Sequence, residues 1–159
     1  MAGKAYGKTL PFGFRGAVSR QPDTMIQAYT NTGNDAIEFG APVVFDGTTG
    51  GVRKIASGDA ATAIIGFAVR RMGQPYADDP KGYYYKKGDV VDVLVRGSMT
   101  VELKAITGIA ARGQVYVDPT DGELTSVATN NLAVPNAVFA TGSVDSNNVA
   151  EVTVLSRSI

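Results

Sequence analysis

The chain has 159 residues, 15 basic against 15 acidic, and contains neither Cys, His nor Trp. That length bounds it to one domain with room for a real core, and a net charge of zero gives no global pull toward nucleic acid or an anionic membrane. Without His or Cys, neither Ser-His-Asp nor Cys-His catalysis can be built from this chain alone, and the commonest transition-metal ligands are missing.

Nineteen Gly and seven Pro favour turns over helices. No apolar run is long enough to cross a bilayer as a helix. The N-terminus, MAGKAYGKTLPFGF, lacks the apolar core of a signal peptide.

Residues 1–22 read as a segment of their own. Lys4, Lys8, Arg15 and Arg20 are basic, and the first acid is Asp23. Gly3, Gly7, Gly13 and Gly16 are too frequent for a stable helix. Tyr6, Leu10, Phe12, Phe14 and Val18 make the segment too apolar for a purely solvated tail. Two readings stand: a disordered terminus, or an extended arm lying on a partner's surface. In the second, Phe12 and Phe14 anchor the arm while Lys8, Arg15 and Arg20 meet acidic groups. Ala2–Thr9 (AGKAYGKT) imitates a phosphate-binding GxxxxGK[ST] loop, but Ala stands at the first position. No strand precedes it and no helix pattern follows, so it is not expected to cradle phosphate.

Residues 23–159 read as a β domain. Strands are expected at 24–29, 37–39, 42–45 and 52–55, with turns at 31–35 and 46–51. Residues 64–70 (IIGFAVR) make a strong strand, in which Gly66 marks a bulge or a close backbone approach. A polar loop follows, containing Asp78 and Asp79, and ends in GYYYKKG. Tyr83, Tyr84 and Tyr85 beside Lys86 and Lys87 mix aromatic and basic groups as single-strand nucleic-acid platforms do. Such platforms sit in basic grooves, however, and Tyr is equally an interface residue. The three tyrosines are therefore expected in a subunit interface or in the core.

Residues 88–103 (GDVVDVLVRGSMTVEL) carry the clearest pattern. Val91, Val93 and Val95 alternate with Asp92, Leu94 and Arg96, and Val101 and Leu103 resume the period around Glu102. Gly97-Ser98 between the runs predicts a β-hairpin. A three-residue loop would pair Val95 with Val101, Val93 with Leu103 and Asp92 with Lys104, whereas the Gly-first chemistry favours a two-residue type II′ turn. One helical turn is expected within 104–113, then strands at 114–117, 123–127, 137–140 and 150–155. Asp118, Asp121 and Glu123 cluster at DPTDGE, where a hairpin turn accounts for them and the spacing does not suit a calcium loop.

The expected fold is therefore all-β: a small antiparallel barrel or sandwich of about nine short strands, with an extended N-terminal arm and at most one short helix. GDVVDVLVRG is loosely similar to the substrate-binding strand of trimeric dUTPases. An Arg-Ser-Gly phosphate motif and a Gly-rich C-terminal arm are both missing, so that enzyme is the weaker alternative.

The order of phrases FGAPVVFD, IIGFAVRR, GDVVDVLVRGSMTVEL, ARGQVYVDPTDGELTSV, VPNAVFATGS and VAEVTVL resembles the structural cement, or head-decoration, proteins of tailed bacteriophages over roughly residues 36–155. The resemblance implies a noncatalytic virion subunit, usually a homotrimer. Such a subunit binds the outside of the major capsid protein shell at threefold and quasi-threefold positions and clamps neighbouring capsomers against internal DNA pressure. It implies no cofactor, metal, small-molecule substrate, nucleic acid or membrane partner. Another virion subunit, of the tail tube or capsid, is the alternative. Lys8, Phe12, Phe14, Arg15 and Arg20 are then the expected capsid contacts, and Tyr83, Tyr84 and Tyr85 the expected subunit interface. Deleting residues 1–20 is expected to leave a folded oligomer that no longer sediments with capsids.

Overall fold

The computed structural model describes residues 11–72 and 84–155 of the chain. The fold is all-β. The eleven strands among the described residues are β1 (Val18–Thr30), β2 (Ile37–Glu38), β3 (Pro42–Asp46), β4 (Gly51–Lys54), β5 (Ile64–Ala68), β6 (Tyr84–Tyr85), β7 (Val90–Ala105), β8 (Gln114–Val117), β9 (Leu124–Thr125), β10 (Leu132–Phe139) and β11 (Val149–Val154). The helical turn expected within 104–113 is absent. Among the described residues the one helical element is a short 3-10 turn, Ala61–Ala63.

Strand β7 organises the molecule. Its C-terminal half closes a five-stranded barrel in the cyclic order β7, β9, β8, β10, β11. Inside the barrel Met99, Val101 and Leu103 meet Val115 and Val117, and Ala150, Val152 and Val154, each set in period two. Strand β10 breaks that period, burying Val134 and then Ala137 and Phe139. Asn136 takes φ 55° there, and the β8 pairing slips between Ala133 and Val138. The Gln114 amide spans the bulge, donating to the carbonyls of Val134 at 2.7 Å and Ala137 at 3.3 Å.

The N-terminal half of β7 carries β5, β3 and β4 on one edge and β1 on the other. Both faces of this sheet are covered. Val44, Ile64, Phe67 and Leu94 join the barrel core. Val43, Val52, Ala68, Val91, Val93 and Val95 join a second core around Ile37, Phe39 and Tyr85. Double burial explains why IIGFAV and VVDVLV read as nearly continuous apolar runs. Gly66 marks both features expected of it. A Cβ there would stand 2.2 Å from the Leu94 carbonyl oxygen, and β3 slips register opposite it, between Val43 and Val44.

The hairpin expected at 88–103 does not form. Strand β7 runs unbroken for 16 residues, so Val95 does not face Val101 and Asp92 does not face Lys104. Asp92 lies opposite Ala28, and Lys104 reaches Asp118 and Asp121 instead. Gly97 (φ 122°) is a bend in one strand, where β7 passes from the second core to the barrel. A Cβ at Gly97 would lie 3.0 Å from the carbonyl oxygen of Asp23 in β1, so glycine is required by a neighbour rather than by a reversal of the chain. The first strand also differs from expectation. It begins at Val18, not residue 24, and its pairing with β7 jumps from Arg20↔Ser98 to Met25↔Arg96, so residues 21–24 bulge away.

Candidate functional site

The described part of the arm lies on the chain's own body. The Phe12 N–H donates to Asp145 Oδ2 at 3.0 Å. The Gly16 N–H donates to the Thr100 carbonyl at 2.7 Å, and the Gly16 carbonyl accepts from Arg70 N–H at 2.7 Å. Thr100 returns three bonds, from its N–H to Ala17 O at 2.9 Å and from its hydroxyl to Phe14 O at 2.5 Å and Ala17 O at 3.2 Å. Gly16 and Gly40, both at positive φ, pass each other too closely for side chains. A Cβ on Gly16 would meet Gly40 N at 2.9 Å.

Charges fix the same segment. Arg20 forks onto Glu151, with Nε to Oε1 and Nη2 to Oε2 both at 2.7 Å, and the Ser19 hydroxyl adds a third bond at 2.7 Å. The Arg20 bonds hold the Glu151 carboxyl below its ordinary range, against the opposing effect of burial. Arg15 Nη1 bridges Glu38 at 2.8 Å and Glu102 at 3.3 Å, joining the two halves of the fold. Burial pushes the Asp145 carboxyl upward, but N–H donors from Val149, Asn147 and Phe12 together hold it below the ordinary range. Arg70 stacks 4.2 Å over the Phe14 ring, which stays 63% exposed.

Phe12, Arg15 and Arg20 are thus bonded to Asp145, to Glu38 and Glu102, and to Glu151, with Phe14 under Arg70 between them. The arm and the tyrosine stretch, separate in sequence, also meet: Arg15 holds Glu38 of β2, and Glu38 pairs with Tyr84 of β6. Tyr85 corrects the interface reading, because it is buried in this chain's own second core. Its ring packs edge-on to Phe39 at 5.2 Å and its hydroxyl donates to Val69 O at 2.6 Å. Burial pushes its phenol up to about 12. Tyr84 is half-buried at the rim. Lys8, Tyr83, the Ala2–Thr9 stretch and Asp78-Asp79 lie outside the described residues.

Sequence reading missed Thr100, Arg70, Asp145 and Glu151, the groups that seat the arm. Asp145 sits in a stretch that reads as a flexible turn, and Glu151 occupies a polar position of an alternating strand. No local pattern marks a partner more than a hundred residues away. Asp118 and Asp121 of DPTDGE are occupied: Lys104 binds both, while the Thr120 hydroxyl and N–H, followed by Lys104, lower the Asp118 carboxyl to about 2. Among the described residues no group of three His, Cys, Asp or Glu side chains is arranged to hold a metal ion. The surface offers an exposed aromatic, backbone edges and paired charges, which is chemistry for contact with another macromolecule.

The family described as "Structural cement protein (E217 gp24/Pam3 gp6)" matches residues 2–155. A solved structure titled "The capsid of Myoviridae Phage XM1" contains a chain of the same fold, with a TM-score of 0.75 and 23% identity over 99% of this chain and 100% of that one. No curated protein matches the sequence. With a match spanning both cores and the arm that ties them, the chain belongs to the phage structural cement protein family.

Proposed function

We propose that this capsid-stabilising protein sits on the outer surface of a phage head as a homotrimer at threefold and quasi-threefold positions. There it joins neighbouring major capsid protein capsomers against the pressure of packaged DNA. Made in the host cytoplasm, it would act in the virion by contact alone, without a catalytic step, cofactor, nucleic acid or membrane. The observation that carries this reading is the seating of the arm. Residues 12–20 are bonded to both halves of the fold, yet Phe14 among them stays largely exposed. An anchored, solvent-facing aromatic is the kind of residue that dominates contact energies. Lys8, Phe12 and Phe14 would touch the capsid. Arg15 and Arg20 are already paired within the chain and would chiefly hold the arm in place. Tyr84 at the adjoining rim, with Tyr83, would face a neighbouring subunit. Weak contacts from each copy would sum to strong binding when three are joined.

The test is co-sedimentation with expanded capsids stripped of this protein. Removing residues 1–11, which takes away Lys8 but leaves Phe12 and Phe14, is expected to leave the fold intact and weaken decoration. Phe14→Ala is expected to weaken binding at least about tenfold, the loss of a contact worth about 1.4 kcal/mol or more. Full decoration by the shortened chain and by Phe14→Ala alike would overturn the arm's role.

A further inference from the structure

Two hollows in the surface meet at Glu38 and Lys54, which line both. The wider one, about 790 Å³, has Asp35 and Tyr84 in its wall and the buried Ile55 side chain in its floor. Its size falls within the roughly 300–1,000 Å³ of ligand-binding clefts. The narrower one runs on beside Leu103 of β7 and Leu124 of β9, and Glu123 lines it. Asp35, Lys54 and Glu123 therefore follow one another along a single trough. Arg15 occupies Glu38 and Glu102, and Lys104 occupies Asp121. Asp35, Lys54 and Glu123 form no ion pair among the described residues. The trough thus presents acid, base, acid, in that order, over an apolar floor.

The chain itself contains a segment of matching order. Residues 1–10, MAGKAYGKTL, lie outside the described residues and carry two cations and no acid. Every second residue is large (Lys4, Tyr6, Lys8, Leu10), and small ones stand between them. Extended, such a segment puts its long side chains on one face and leaves the other nearly bare. Laid in the trough from the wide end, it would set Lys4 on Asp35 and the Tyr6 ring against Lys54 as a cation–π pair. Lys8 would leave past Glu123, still within reach of the shell. The same molecule's arm is aimed elsewhere. Arg15 lines the narrow end of the trough, and from there the arm crosses β7 to Asp145, on the β11 side. The trough lies along β9, at the opposite edge of β7.

We propose that this trough is the seat for residues 1–7 of a second copy, with Lys4 on Asp35 and Tyr6 on Lys54. A site that takes the arm of the next copy makes a head-to-tail contact, and such contacts close into rings. The inference rests on the homotrimer of the proposed function and deepens it. Three arms, each seated in the next subunit's trough, would close that trimer, with Tyr84 in the wall of every seat.

The chain has no Cys, so each Cys variant carries a single thiol. Lys4→Cys mixed with Asp35→Cys is oxidised mildly, in concentrated solution and on decorated particles. The mixed dimer is expected at least about tenfold above that of Lys4→Cys with Thr48→Cys, an exposed control on another turn, because a disulfide needs Cα atoms within about 7 Å. Lys4→Glu and Asp35→Lys should each weaken self-association at least about fivefold, a like-charge pair replacing an attraction. The chain carrying both should recover it, a rescue that a purely structural role would not show. Two results would overturn the proposal. One is a mixed dimer no more abundant than the control in both settings. The other is a Lys4→Cys, Asp35→Cys double variant that closes within one chain while the single variants do not link to each other. Co-sedimentation with stripped capsids reads cementing separately: protein that decorates fully without the cross-link refutes the seat and leaves the cementing role standing.

Discussion

At the scale of single residues, the arm is held by charges whose burial is unequal. The Glu151 side chain is 9% exposed and that of Arg20 60%. Arg20→Ala would leave a largely buried carboxylate with only Ser19 as donor, a costly state. Because the folded protein holds Glu151 below its unfolded value, the pair stabilises above the ordinary carboxylate range, and that contribution is lost as pH falls through the folded value. Arg20→Ala is therefore expected to lower Tm clearly at neutral pH and much less in strong acid. An equal loss at both would show that the carboxylate is not the cause. Tyr85 has the opposite sign. Its phenol is raised to about 12, so its stabilising effect is complete below the ordinary phenol range and fades between about 10 and about 12. Tyr85→Phe would orphan the Val69 carbonyl, at a cost of about 1–2 kcal/mol in urea unfolding at neutral pH. It would also flatten the alkaline decline seen in the parent chain.

At the scale of elements, the fold depends on one strand serving two cores. Where β5 crosses β7, a methyl group at Gly66 would stand 2.2 Å from backbone oxygen, which no rotamer change relieves. Gly66→Ala is expected to cost about 3 kcal/mol or more, measured as a drop in the urea midpoint; an unchanged midpoint would refute the close approach. Much of this level was legible in sequence. Alternation in 114–117 and 150–155 marks β8 and β11, and the glycine in IIGFAV marks the crossing. What misled was Gly97-Ser98, because a glycine forced by a neighbouring strand looks the same in sequence as one forced by a turn. The period resumes after it in either case. The packing of β1 against that bend, set by residues some 70 positions away, leaves no local trace. Tyr85 misled for a related reason: three tyrosines in a row look alike until the fold buries one of them.

At the scale of the whole molecule, the boundary at residue 22 separates a composition, not a structure. Val18 and Arg20 pair with β7, Ser19 and Arg20 serve Glu151, and Phe14 and Ala17 serve Thr100. Deleting residues 1–20 would thus unfasten the body, with lower Tm than deletion of 1–11, and would confound loss of binding with loss of fold. The shorter deletion and Phe14→Ala test the arm without that confusion. The lie of β1 along β7 has a mechanical consequence as well. A pull on the arm directed along β1 runs parallel to the strands and loads their hydrogen bonds together in shear, instead of opening them one by one. The same pull is shared at once by both cores, since β7 is a wall of each. For a protein that stabilises a phage capsid, this geometry turns a terminal segment into a tether that yields only when the central strand does.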